Sequence, residues 1–177
     1  MQYISIDDPL ARICGKLENE HARIEGMRIY VPVTFATLTD EKVRSGRIDL
    51  APGGEVLAPL ATPEMTSDEV EEAEFVALYL AADASARLAA ASPGAKLRLV
   101  LSCDVPDGSL PAPDGAGQIT LTSPLEGARI ACAHADDASQ SVAIAGAFRE
   151  LEANEAALDD HDLLWYDVSE LGDIPGL

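Results

Sequence analysis

The densest chemistry in the chain lies in Ala157-Leu-Asp-Asp-His-Asp-Leu-Leu-Trp-Tyr166, which holds the sole tryptophan and one of three histidines. Asp159, Asp160, His161 and Asp162, with Glu170 downstream, could ligate a divalent cation or form an acid–base pair. A helical backbone works against both, because neighbouring side chains then point about 100° apart and do not converge. The simpler reading is that Asp159 or Asp160 caps a helix from Asp160 to about Leu171, with the acids against its positive end. Trp165 and Tyr166 could stack on a ligand. A lone tryptophan in an alanine-rich chain more often fills the core or a subunit contact, here in a stripe with Leu164, Val168 and Leu171.

Cys132 and His134, two apart on a strand, share a face. Their Cβ atoms would stand roughly 6.5–7 Å apart, so a nucleophilic Cys–His pair requires both side chains to lean together. Arg129 is the one nearby base that would lower the thiol pKa. A buried cysteine beside a strand-end histidine is the plainer account, and Cys103 reads as a small hydrophobe in a central strand. Cys14, Cys103 and Cys132 are odd in number and show neither Cys-x-x-Cys nor a zinc spacing, which fits a reducing compartment. The sequence thus assigns no catalytic residue, no metal and no cofactor.

Charge narrows the partners. The net charge is −19 over 177 residues, and Asp136–Leu177 carries eleven acids against Arg149 alone. Such a surface repels nucleic acid and anionic membrane and suits a basic protein partner; its plainest role is to keep the chain in solution. No apolar run reaches the roughly 18 residues of a membrane helix, and Met1–Pro9 lacks the basic and apolar segments of a signal peptide. A cytoplasmic location is expected.

The elements that must position these residues follow from periodicity. The length suits one domain, and 47% hydrophobic against 24% charged residues is a globular balance. Arg28–Phe35 alternates as a strand, with Pro32 arguing for an edge or a break. Thr37–Ser45 reads as a short helix and Glu55–Ala61 as a short strand. Thr66-Ser-Asp-Glu69 is a capping box opening a helix to about Ala91. Its main stripe is Val70, Ala73, Ala77, Leu80, Ala84 and Leu88. Phe75, Leu78, Tyr79 and Ala82 supply a second apolar face, so burial on two sides is expected. Lys96–Cys103 has the apolar density of a central strand, and the turn-rich Val105–Gly117 reads as a mobile or functional loop. Gln118–Thr122 and Ala128–His134 are further strands, and Asp137 opens a helix to about Glu155. The sum is an α+β two-layer sandwich, with a mixed or antiparallel sheet of four to five strands and three to four packed helices.

Four short motifs carry a resemblance: Met27-Arg-Ile-Tyr-Val-Pro32, Glu74-Phe-Val-Ala-Leu78, Cys103-Asp-Val-Pro106 and His161-Asp-Leu-Leu-Trp-Tyr166. Together they resemble an actinobacterial family known only as a domain of unknown function, over about Met27 to Leu171. The resemblance implies a start at Met27, so residues 1–26 are expected to be an extension or the product of an upstream start codon, with one domain over 27–177. It lends no activity and no site residue. The functional expectation is therefore a non-catalytic interaction or regulatory domain. It would present its acidic C-terminal face (Asp159, Asp160, His161, Asp162, Trp165 and Tyr166) to a basic partner and pair as a homodimer through the alanine-rich helix. The alternative is an enzyme or small-molecule binder with a pocket near His161, Trp165 and the Val105–Gly117 loop.

Overall fold

The alternation of Ile29, Val31 and Val33 with Arg28, Tyr30 and Pro32 builds the first strand, Gly26–Val33. The structure, a computed structural model, describes residues 26–38, 41, 45–92, 96–150, 158 and 161–175. Within them seven strands form one sheet: β1 (Gly26–Val33), β2 (Arg47–Leu50), β3 (Glu55–Leu57), β4 (Leu99–Pro106), β5 (Gln118–Thr120), β6 (Leu125–Asp136) and β7 (Leu163–Asp167). Two α-helices accompany them, α1 (Ser67–Ala91) and α2 (Ser141–Glu150). The strand order is β2-β6-β4-β1-β3-β5, with β7 also on β6, and every pairing is antiparallel.

The sheet is larger than the expected four to five strands, and the difference lies in β2 and β7. The expected terminal helix from Asp160 to Leu171 is instead β7 followed by a 3-10 helix, Val168–Asp173. The cause is tertiary. β6 is twelve residues long; β4 takes one of its edges, while on the other β2 reaches only to Arg129 and Cys132–Asp136 takes β7. Leu163-Leu-Trp-Tyr is bulky and aromatic, a composition that suits a pleated surface as well as a helix. The expected helix over 37–45 lies largely outside the described residues; Glu41 and Ser45 are helical, and Phe35–Thr37 is a 3-10 turn. Of the expected N-terminal extension only Gly26 is described, and it pairs with Pro106. The helix opened by Asp137 starts as a 3-10 turn and is α-helical over Ser141–Glu150.

Pro32 sits in an interior strand and still obeys the rule against central prolines. β1 pairs with β4 along its whole length, whereas its ladder with β3 is confined to Tyr30 opposite Leu57. Lacking an N–H, Pro32 has nothing to donate on that side.

One face of the sheet holds the main core, with Ile29, Val31, Leu99, Leu101, Ile119 and Ile130 closed over by Leu171 and Ile174. The other face carries α1. Thr66 caps this helix as expected: its Oγ1 accepts from Glu69 N at 3.4 Å, and Glu69 Oε2 accepts from Thr66 N at 2.7 Å. The buried face, however, is not the stripe of large residues. It is Ala77, Ala81, Ala82, Ser85, Ala86 and Ala89, packed partly on Tyr30, Leu57 and Val100. Small side chains let the helix backbone approach the sheet closely, and Ser85 uses that approach. Its Oγ donates to Val33 O at 2.8 Å and accepts from Leu99 N at 2.8 Å, joining β1 to β4. Phe75, Tyr79, Leu80 and Leu88 are exposed, so no described element of the chain covers a second side of α1. Phe75 and Tyr79, one turn apart, pack ring to ring at 4.4 Å.

Candidate functional site

Period-two alternation places Arg28, Ser102, Asp104, Cys132, His134, Leu163 and Trp165 on the α1 side of the sheet. The β4–β6 ladder slips one residue past Ala131, so Ser102 faces Cys132 while Asp104 faces Arg129. That bulge brings Arg129 to the face of Cys132. Asp104 there accepts from two arginines, Arg28 Nε at 2.7 Å and Arg129 Nη2 at 2.5 Å. Burial opposes the charge on Arg28, yet contact with Asp104 holds its pKa above the ordinary value.

Beside this cluster His134 Nε2 lies 3.2 Å from Ser102 Oγ and 3.6 Å from Cys132 Sγ. The two β6 side chains do lean together, as contact required. Chemistry still does not assemble. Ser102 is buried, and among the described residues no carboxylate bonds to His134 to complete a relay. Burial, and then the charge of Arg28, hold the imidazole pKa below its usual value, so the ring is neutral near neutral pH. Burial also pushes the Cys103 thiol up to about 12 and the Tyr30 phenol to about 12, which silences both as nucleophiles.

The predicted residues separate. Asp159 and Asp160 lie outside the described residues. His161 precedes β7, and its carbonyl accepts from Arg98 Nη2. Asp162 is exposed on the approach to the strand. Trp165 and Tyr166, adjacent on a strand, point to opposite faces: Tyr166 packs on the main core, while Trp165 is 58% exposed opposite His134. Among the described residues, then, none buries Trp165 in a core. Leu164 and Val168 are exposed as well, whereas Leu171 is fully buried, so the expected packing stripe is divided. Asp167 does cap a helix, though the 3-10 one: its Oδ1 accepts from Ser169 N at 2.9 Å, and bonds to Ser169 hold its pKa low.

What positions β7 is a buried ion pair. Arg98 Nη2 meets Asp136 Oδ1 at 2.8 Å with both side chains almost wholly enclosed. Asp136 Oδ2 also accepts from Arg98 N at 2.6 Å, and the guanidinium reaches Leu158 O at 3.4 Å. Arg98 thus ties the chain entering β7 to the ends of β4 and β6. Its signal in the sequence was a single arginine inside the apolar run Leu97–Leu101, which needs a buried partner.

The class defined here is an antiparallel α+β domain whose β7, paired among the described residues with β6 alone, carries the exposed Trp165 and acidic flanks (Asp162, Asp167, Glu170, Asp173). A family model described as a family of unknown function (DUF6912) matches residues 27–174, and the chain belongs to that family. No curated protein and no solved structure matches. No helix among the described residues is long and apolar enough to cross a membrane.

Proposed function

We propose that this is a non-catalytic interaction domain that receives an extended basic segment of a partner protein along β7. One observation carries the reading: the only tryptophan stands 58% exposed at the centre of a strand whose sole described partner is β6. A strand edge offers backbone donors and acceptors to an added strand, and proteins that do not use such edges blunt or cover them. Tryptophan is the side chain most enriched where binding energy concentrates. Leu164 adds an exposed apolar side chain on the opposite face. The surrounding acids favour a cationic segment and disfavour nucleic acid, and a cytoplasmic partner belongs to the same reading.

Trp165 is its own reporter. Its emission is followed while a peptide of alternating lysine and valine is added, then a peptide of alternating glutamate and valine, each at low and high salt. The expected result is a shift to shorter wavelength with the lysine peptide alone, weakened by salt. No shift with either peptide, or equal shifts with both, overturns the proposal.

A further inference from the structure

Past Pro32 the β1–β3 ladder has ended, and the chain between β2 and β3 faces α1 across a gap. The gap is a cleft of about 470 Å³, within the range of small-molecule sites. Val56 and Leu121 lie buried at its base, and Leu88, 45% exposed, stands at its wall. The helix contributes Ala84 and Ala91 beside Arg87 and Leu88, and the facing chain contributes Gly53 and Gly54.

The polar groups of the cleft are informative because acids outnumber bases 31 to 12. Of the described arginines, Arg28, Arg98 and Arg129 meet carboxylates, Arg47 donates to the Gly127 carbonyl, and Arg149 stands exposed on α2 without an ion pair to a described residue. Arg87, at this cleft, makes no ion pair with a described residue, although Glu55 lines the same space. An exposed leucine beside an uncommitted guanidinium fits a ligand with an apolar body and one anionic head.

We infer that this cleft binds a small amphipathic carboxylate, with its hydrocarbon tail on Val56, Leu121 and Leu88 and its head on Arg87. The site is separate from β7, and Trp165 does not line it.

The test compares decanoate, decyltrimethylammonium and acetate, added to the whole protein below their aggregation limits and followed by calorimetry and thermal melting. A chain of charge −19 attracts cations at long range, so a preference for the anion must come from the cleft. Saturable one-to-one binding of decanoate is expected, with a raised melting temperature, no such effect from the other two, and no change in Trp165 emission. Arg87→Gln, at an exposed position, is expected to weaken decanoate about tenfold; Leu88→Glu is expected to abolish it. Failure of decanoate to bind, equal binding of the cation, or indifference to Arg87→Gln overturns the inference. None of these results bears on the peptide reading at Trp165.

Discussion

Asp136 shows how much one residue holds in place. It accepts from the backbone N–H of Arg98 and twice from its guanidinium, and both side chains are almost wholly enclosed. Attraction between buried charges roughly offsets the loss of their hydration, but removing one partner leaves the other charge buried and unpaired. Asp136→Ala should therefore cost about 3–5 kcal/mol in denaturant unfolding, and it should loosen the tie between Arg98 and the chain entering β7. A loss below about 1 kcal/mol, the size of an exposed pair, would mean that water reaches the site. His134 gives a second, pH-dependent effect. Its folded pKa is depressed by burial and by Arg28, while the unfolded value is about 6.5. The unfolded chain then takes the proton first. Stability contributed by the neutral ring is full above about pH 6.5, falls as pH drops toward the folded pKa, and levels below it. Chemical denaturation stepped downward from about pH 7.5 should show that decline, and His134→Gln should flatten it. Equal slopes in the two proteins would place the linkage on another group.

Elements differ in how openly the sequence declares them, and the reason is the range of the forces involved. The capping box of α1 and the alternation of β1 are local, and both are present as read. β7 was illegible because Leu163-Leu-Trp-Tyr166 is an unbroken apolar run behind acids that look like a helix cap; the free edge of β6 at Cys132–Asp136 decided it. The face of α1 was misread for a related reason. Periodicity places Leu80 and Leu88 on one stripe with Ala77, but the sheet admits only the alanines and Ser85 at close range. Of the candidate site, the acidic setting and the sequence position of Trp165 were legible. Its exposure was not, because it depends on β7 being a strand and on α1 packing against β1, β3 and β4 and leaving Trp165 uncovered. The Asp104 cluster needed the slip past Ala131, which no residue type announces.

At the scale of the whole molecule, charge opposes compactness. With 31 acids and 12 bases, folding concentrates like charges, and the resulting repulsion is long-ranged in dilute buffer, where the Debye length is about 30 Å at 0.01 M and about 8 Å at 0.15 M. The attractive pairs do not cancel this dependence on salt. Arg98–Asp136 is dry and little screened, and Arg28 and Arg129 share one carboxylate. Among the other described cations, Arg47 and Lys96 bond to backbone carbonyls, which carry no net charge to screen. Added sodium chloride therefore relieves more repulsion than it removes attraction. The melting temperature should rise between about 0.01 M and 0.15 M salt, by about 2–4 °C for each kcal/mol of repulsion relieved in a chain of this length. The same salt should weaken the basic peptide at β7, so stability and partner binding should move in opposite directions. A melting temperature that falls over this range would mean that ion pairs outweigh the unpaired acids, and would remove the electrostatic ground for a basic partner.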